Sequence, residues 1–127
     1  MDNLKLMRWR TYSEPLGTLV PIEDLSDLGM LIKRTFFVYG TPAGEVRGQH
    51  AHKATTQILT CIRGEISVLC YDGKQERSFV LKSPDQALKI PPGIWAEQRY
   101  EKADSILLVH CDTHFDEDDY IWDKLSI

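Results

Sequence analysis

Short apolar and β-branched stretches, separated at close intervals by turn-forming residues, run along most of this chain. This pattern is typical of a β-sandwich or β-barrel. Asp72-Gly73 is a strong hairpin signal, because a type I′ turn needs residues that tolerate positive φ. Turns are also indicated at Ser83-Pro84-Asp85 and Pro91-Pro92-Gly93. The predicted strands are Leu16–Ile22, Ile32–Tyr39, Val46–His52, Gln57–Arg63, Ile66–Tyr71, Arg77–Leu81, Ala87–Ile90, Trp95–Tyr100 and Ser105–Asp112.

Only the C-terminal tail, about Glu117 to Lys124, is predicted to be helical. Asp116 is placed to cap it, and acidic residues in a first turn suit the helix dipole. At 127 residues, with no internal repeat or linker, the chain is expected to form one domain over residues 1–127. The predicted fold class is all-β with a short C-terminal helix.

Composition narrows the functional classes. The net charge of -4 argues against a nucleic-acid-binding protein, which presents a basic face. No apolar run reaches the length of a membrane span, and the N-terminus lacks a signal-peptide pattern, so a cytoplasmic protein is expected. Cys61, Cys70 and Cys111 lie in apolar β-like runs without CxxC spacing, and we expect buried free thiols.

The segment Arg47-Gly48-Gln49-His50-Ala51-His52-Lys53 carries the clearest chemical signal. Residues two apart on a strand point to the same side, so His50 and His52 are expected to share one face. Two imidazoles on one wall suit either a metal site or a proton-transfer site. The flanking cations Arg47 and Lys53 are expected to lower the histidine pKa values, which favours a neutral ring able to act as a base. His110 and His114 lack ligand partners at suitable spacing and are interpreted as core or surface residues.

The glycines around these histidines extend the pattern. Gly44, His50, His52, Gln57 and Gly64 stand at the spacing G-x5-H-x-H-x4-Q-x6-G, which resembles the first cupin motif with glutamine in place of glutamate. Pro91-Pro92-Gly93-Ile94-Trp95-Ala96 resembles the second motif, with alanine in place of histidine. The resemblance implies a double-stranded β-helix, the cupin jelly roll. Because Gln57 is a weak ligand and Ala96 offers none, no metal or other cofactor is expected.

Nearly the whole chain also resembles one group within the cupins, the dTDP-4-keto-6-deoxyglucose 3,4-ketoisomerases (WxcM-like sugar ketoisomerases). The stretches that carry this resemblance are Leu16–Glu23, Ile32–Gly40, Arg47–Lys53, Trp95–Glu97 and Asp116–Ile121. It implies a metal-independent enzyme that moves the keto group of a dTDP-linked keto-deoxysugar from C4 to C3 by histidine acid–base catalysis, through an enediol or enediolate. It also implies a homodimer with an exchanged N-terminal strand. The implied biological role is in the synthesis of amino-deoxysugars of surface polysaccharides.

The family implies a role for several residues. By carry-over, His52 is the base at C3, and His50 relays or returns the proton. The expected substrate-binding residues are Tyr39, Arg47, Lys53, Trp95 and Gln57. Tyr39 is expected to bind sugar oxygens, Arg47 and Lys53 to counter negative charge, and Trp95 to stack on thymine or enclose the sugar.

Ala96 leaves the outcome open, because the family usually places histidine or arginine between this tryptophan and glutamate. The product at C4 can then be galacto or gluco. Three other functions remain as alternatives: a related dTDP-sugar epimerase, a non-catalytic sugar-nucleotide-binding cupin, and a metal-dependent oxygenase.

Overall fold

The structure is a computed structural model that describes residues 1, 3–23, 25 and 28–127. Within these residues, twelve strands alternate with short connections, and two single-turn 3-10 helices lie near the C-terminus, at Glu117–Asp119 and Lys124–Ser126. The strands are β1 (Lys5–Arg8), β2 (Tyr12–Glu14), β3 (Gly17–Leu19), β4 (Arg34–Val38), β5 (Val46–His52), β6 (Gln57–Arg63), β7 (Ile66–Tyr71), β8 (Glu76–Leu81), β9 (Gln86–Ile90), β10 (Trp95–Tyr100), β11 (Ile106–Cys111) and β12 (Tyr120–Ile121).

Ten of these strands form two antiparallel five-stranded sheets. The first has the order β1-β9-β6-β11-β4 and the second β12-β5-β10-β7-β8. One buried cluster joins side chains of the first sheet, such as Leu59 and Leu88, to side chains of the second, such as Val68 and Tyr100. The core therefore lies between the sheets, as in a cupin-like jelly roll, and the predicted all-β fold is confirmed.

Strict alternation explains why these sequences form facing sheets. Along β7, Ile66, Val68 and Cys70 are buried, whereas the residues between them are half-buried. On β6, Leu59 and Cys61 face the core between the sheets, while Ile58 packs on the opposite side in a second cluster. Because successive side chains point to opposite sides, a single strand contributes residues to both faces of its sheet.

The outer face of the first sheet is covered by the N-terminal part of the chain. Trp9, Leu25 and Met30 pack there against Ile58 and Ala87. The Trp9 indole N–H donates a hydrogen bond to the Thr60 hydroxyl over 2.8 Å, which satisfies the polar atom of a buried aromatic ring. This covered face is separate from the space between the sheets.

The N-terminus differs from the sequence-based expectation. The predicted strand Leu16–Ile22 is shorter, Gly17–Leu19, and it forms a hairpin with β2, which was not predicted. β1 was also not predicted, and it pairs with β9. Four-residue and three-residue strands give too little alternation for the hydrophobic pattern to be recognised.

The predicted C-terminal helix is wrong. Asp116 does cap a turn, accepting a hydrogen bond from the Asp118 N–H, but the turn ends at once. Tyr120 and Ile121 instead pair with His52 and Ala51 on the edge of β5. A continuous helix would lose this edge pairing, and a second turn, capped by Asp123, begins only beyond it.

The expectation for the cysteines is confirmed. Cys61, Cys70 and Cys111 are buried free thiols. Burial raises the pKa of the Cys61 thiol to about 11 and that of Cys70 to about 12, so both remain protonated at neutral pH. Among the described residues, no helix has the length and apolar character needed to cross a membrane.

Candidate active site

A cavity of about 280 Å³ opens between the sheets at the edge where β4 faces β5 and β12. The inward-facing residues of these strands, together with residues of β6, β10 and β11, form its wall. They are Arg34, Phe36, Val38, Arg47, Gly48, His50, Gln57, Leu59, Gln98, Tyr100, Leu107, Val109 and Tyr120. Aliphatic walls with a few convergent polar groups are typical of small-molecule sites.

His50 and His52 lie side by side, with ring centroids 4.9 Å apart and planes at 87°. The His50 Nδ1 donates to the carbonyl oxygen of Gly48 over 2.9 Å, and the His52 Nδ1 donates to Asp119 Oδ2 over 2.8 Å. Because carbonyl and carboxylate oxygens only accept, these contacts place the proton of each neutral ring on Nδ1. Each Nε2 therefore has a lone pair available for a proton.

Asp119 is held in place by three donors. Its Oδ1 accepts the Ala54 N–H over 2.7 Å, and its Oδ2 accepts the Thr55 hydroxyl over 2.5 Å as well as the His52 N–H. Burial raises the pKa of Asp119, but these hydrogen bonds outweigh it and lower the pKa below its ordinary value. The carboxylate therefore stays charged and can stabilise a positive charge on His52.

The pKa values of both histidines are lowered, and burial is the main cause. The predicted direction is correct, but its cause differs: the cation that further lowers the His52 pKa is Arg34, while Asp119 raises it. For His50, the neighbouring His52 contributes to the lowering. Both rings are thus neutral at neutral pH, as general bases require.

Two aromatic side chains from the C-terminal segment cover the histidine pair. The Tyr120 ring centroid lies 4.8 Å from that of His50 and 4.6 Å from that of His52. Trp122 stacks on Tyr120 at 5.1 Å and meets the His50 ring edge-on at 5.2 Å. Tyr120 is brought to this position by the pairing of β12 with β5.

The two histidines differ in their access to the cavity. His50 lines the main cavity, whereas His52 borders a small adjoining void that also touches Arg34 and Tyr120. The His52 Nε2 is buried and has no hydrogen-bond partner among the described residues. An unpartnered acceptor in such a place is costly unless it serves a ligand.

The structure brings together some of the residues predicted to bind substrate. Arg47 and Gln57 line the cavity with His50. The Gln57 amide donates to the Cys111 sulfur over 3.5 Å. Gln57 faces the cavity with Leu59, since both lie on the inward side of β6.

The other three do not line this cavity. Tyr39 follows the inward-facing Val38 on β4, is 72% exposed and stacks on Phe37. Lys53 is exposed at the end of β5. Trp95 is 6% exposed, and its indole N–H donates to Glu97 over 3.1 Å. Their predicted contact with substrate stays a prediction.

Sequence reasoning missed Arg34, Gln98, Tyr100, Asp119 and Tyr120. Alternation along β4 gives the signal for Arg34, because Phe36 and Val38 mark the inward side. The same alternation from Ala96 marks Gln98 and Tyr100 on β10. No local signal identifies Asp119, which lies 67 residues from His52 in sequence.

The donor set at the cupin metal position is depleted. Ala96 lies opposite His50 in the strand register, where the second motif has a histidine, and its methyl group cannot bind a metal. Among the described residues, no three His, Cys, Asp or Glu side chains converge as metal ligands. His110 lies on the outer side of β11 against Trp9, and His114 is exposed, which agrees with their interpretation as core and surface residues.

Comparison with known proteins identifies the family. The model of the family "FdtA: WxcM-like, C-terminal" matches residues 2–126. The chain belongs to this family. The predicted resemblance to WxcM-like sugar ketoisomerases is therefore confirmed.

Individual WxcM-like relatives match over almost the whole chain. A TDP-4-oxo-6-deoxy-α-D-glucose-3,4-oxoisomerase from Aneurinibacillus thermoaerophilus is 33% identical over 121 residues, covering 95% of this chain and 86% of the relative. A 3,4-ketoisomerase from Thermoanaerobacterium thermosaccharolyticum has a solved structure in which one histidine is replaced by asparagine and TDP-4-keto-6-deoxyglucose is bound. It has a TM-score of 0.92 and 28% identity, covering 97% of this chain and 89% of that one. A TDP-quinovose 3,4-ketoisomerase from Campylobacter jejuni has a TM-score of 0.92 and 28% identity, with 100% of both chains covered.

Proposed function

We propose that this protein is a metal-independent sugar-nucleotide isomerase that moves the keto group of dTDP-4-keto-6-deoxyglucose from C4 to C3. One observation carries the proposal: a pair of neutral imidazoles at a cavity, one of them hydrogen-bonded to a half-buried carboxylate. Membership of the WxcM-like family supports the substrate class, since the relatives of stated activity act on TDP-linked keto sugars.

His52 is the proposed base at C3. Its Nε2 removes the C3 proton, the electrons of that C–H bond form the C3–C4 double bond, and the carbonyl electrons move to the oxygen on C4. The proton on His52 then returns to C4. Asp119 stabilises the imidazolium in between, because opposite charges within hydrogen-bonding distance favour the protonated ring.

A second proton also has to move, from the oxygen on C3 to the oxygen on C4. His50 is the proposed carrier, because its Nε2 lone pair accepts the hydroxyl proton and the resulting imidazolium donates it to the other oxygen. His50 lines the cavity and its Nδ1 is fixed by the Gly48 carbonyl oxygen. The two histidines thus divide the carbon-bound and oxygen-bound protons between them.

Access to His52 requires movement. Because its Nε2 is buried, a bound sugar has to displace a neighbouring side chain to reach it. We propose that Tyr120 rotates away, since its ring contacts both histidines and lines both the main cavity and the adjoining void. Substrate binding then replaces the contact between Tyr120 and His52.

Arg47 and Gln57 are the proposed cavity residues that hold the substrate, and Tyr39, Lys53 and Trp95 remain proposed contacts outside the cavity wall. Ala96 lies opposite His50 in the strand register and offers no proton donor there. The configuration of the product at C4, galacto or gluco, shows which face of C4 receives the proton.

We also propose a homodimer in which the N-terminal strand is exchanged. The β2–β3 hairpin pairs only with itself among the described strands, and it exposes Leu16 at 101% and Leu19 at 64%. Apolar side chains on an uncovered hairpin favour a second copy as their cover. Light scattering should give a dimer that Leu19→Asp weakens, whereas Val80→Asp, at an exposed position on β8, should leave it intact. A monomeric wild-type protein would refute the dimer.

The activity is tested with dTDP-4-keto-6-deoxyglucose in an assay coupled to a 3-aminotransferase. Proton NMR should show a product with a C3 ketone and, in deuterated water, exchange of the C3 hydrogen of the substrate. A product that keeps its C4 ketone identifies an epimerase instead. Tight dTDP binding without exchange identifies a binding protein, and stoichiometric iron in protein purified without chelators indicates an oxygenase.

A further inference from the structure

The cavity has an unbalanced charge. Two guanidinium side chains, Arg34 and Arg47, line it, and none of its lining residues within the described part of the chain is a carboxylate. Elsewhere, Arg8 and Arg63 pair with Asp85 and Asp104 over 2.9 Å and 3.1 Å. Cations left without a counter-ion in a cleft attract a negatively charged ligand.

Arg34 packs against two aromatic rings at this wall. Its guanidinium lies 4.6 Å from the centroid of the Phe36 ring and 5.0 Å from that of Phe115. Aromatic faces favour a cation in this position and restrict its rotation. No carboxylate among the described residues lies within 4.0 Å of it. Its hydrogen-bonding groups are therefore available to a ligand.

The position of Arg34 relative to the base distinguishes it from Arg47. Arg34 lines the main cavity and also the void that holds His52 and Asp119. Arg47 lies near the start of β5, five residues before His52, and its charge acts on Tyr100 at the end of β10. The cation next to the base is Arg34.

We propose that Arg34 is a catalytic residue that binds the oxygen on C4 and stabilises its negative charge in the enediolate. This inference rests on the proposed function, which requires that charge to develop within reach of the base. Fixed cations in a shielded site act most strongly on charge that appears only in the transition state. Arg47 is left for the diphosphate or the sugar hydroxyls.

The test compares Arg34→Gln and Arg34→Lys with wild type in three measurements. These are turnover, the rate of C3 hydrogen exchange in deuterated water, and TDP affinity by calorimetry. Arg34→Gln should lower turnover and exchange by about 10²–10³-fold, the typical cost of losing an oxyanion-stabilising group. TDP affinity should change less than about threefold, and Arg34→Lys should recover at least about tenfold of the loss, because it retains the charge. Arg63→Gln, which removes an exposed arginine, is the control and should match wild type.

A further readout tests whether the Arg34 charge reaches the base. His52 is influenced by Asp119 and Asp112, which raise its pKa, and by Arg34, which lowers it; His50 lies beside it. Removing Arg34 should therefore shift the acid limb of the exchange rate to higher pH in Arg34→Gln. That shift shows that the Arg34 charge acts on His52. The catalytic role itself is shown by the loss of exchange with retained TDP affinity.

The outcomes are distinct. If wild type turns over and Arg34→Gln exchanges C3 hydrogen within about threefold of it, Arg34 is not the oxyanion residue. If TDP affinity falls as much as turnover, Arg34 binds the diphosphate and the inference is wrong. If wild type itself neither turns over nor exchanges, the proposed function fails instead. Should Arg34→Gln not fold, Arg34→Lys is the deciding variant. If its TDP affinity falls by as large a factor as its turnover, the role is refuted. If its affinity is retained while its exchange rate falls, the role is supported.

Discussion

Two buried histidines, His52 on β5 of the second sheet and His110 on β11 of the first, have different surroundings. His52 at the cavity edge donates to the carboxylate of Asp119, whereas His110 on the outer face contacts the hydroxyl of Thr35 over 3.0 Å and packs edge-on against Trp9 at 6.1 Å. Both have an Nε2 that is buried and unpartnered among the described residues. Burial lowers the pKa of both.

The difference lies in what each ring can do with a proton. Asp119 stabilises a protonated His52, so a proton can be taken up and released during a reaction. His110 has no such partner among the residues that the structure describes, and burial is the only resolved cause of its pKa shift. A buried histidine is therefore a candidate base only where a charged acceptor supports its imidazolium.

The largest expected contrast comes from replacing each histidine by asparagine. His52→Asn should lower turnover by about 10³-fold or more, since general acid–base catalysis contributes about 10²–10⁴-fold. His110→Asn should leave turnover within about threefold but cost about 1–3 kcal/mol of stability, because it disturbs a buried polar contact. Coupled turnover assays and thermal unfolding measure the two effects. Equal loss of turnover in both variants would contradict the assignment.

The next contrast removes the carboxylate but keeps its shape. In Asp119→Asn, the amide N–H groups face donors at Thr55 and His52, so His52 is driven to the tautomer protonated on Nε2 and loses its basic nitrogen. Turnover should fall on the order of 10²-fold. Asp116→Asn is the matched control, because its amide oxygen still accepts the Asp118 N–H. Unchanged turnover in Asp119→Asn would show that His52 needs no carboxylate.

The pH dependence should separate the two histidines again. Because burial lowers the pKa of His52 from 6.5, the acid limb of kcat/KM should have its midpoint below pH 6.5 and fall about tenfold per pH unit beneath it. His110→Asn should leave that limb in place. An acid limb centred above pH 6.5 would mean that a different group is titrating.

Stability should follow pH with the same sign. The unfolded chain protonates its histidines near pH 6.5, whereas the folded chain, with lowered pKa values at His50, His52 and His110, does so only at lower pH. The contribution of these histidines to the free energy of unfolding is therefore complete above pH 6.5, and it is lost as the pH falls through their folded-state pKa values. Denaturant titrations at several pH values should show that the free energy of unfolding depends less on pH in His110→Asn than in wild type.

The smallest effect concerns the cavity wall. Gly48 has φ of 86°, and a Cβ there would lie 2.7 Å from the Gln98 side-chain oxygen. Gly48→Ala should cost about 1–3 kcal/mol and raise KM a few-fold by displacing Gln98 within the cavity. Gly40 also has a positive φ, of 77°, but a Cβ there would meet nothing within 4 Å. Gly40→Ala should therefore strain the backbone without changing KM. Identical KM values in both variants would show that Gln98 does not contact the substrate.

The sequence by itself determined the β-rich fold and the strands that build the site. β5, β6, β7 and β10 begin and end where alternation and turn residues predicted. The shared face of His50 and His52 also follows from the sequence, because a period of two residues is a local property of a strand. The glycine spacing around them resembles the first cupin motif, and the Arg47–Lys53 segment with stretches along nearly the whole chain was sufficient to recognise the WxcM-like family.

Tertiary structure alone decided which groups surround those histidines. Asp119 reaches His52 because β12 pairs with the edge of β5, and this pairing replaced the helix that the acidic tail predicted. Arg34 joins the cavity only because β4 lies at the edge of the first sheet, opposite β5. Contacts between residues distant in sequence depend on strand order and sheet packing, and neither leaves a periodic signal in the chain.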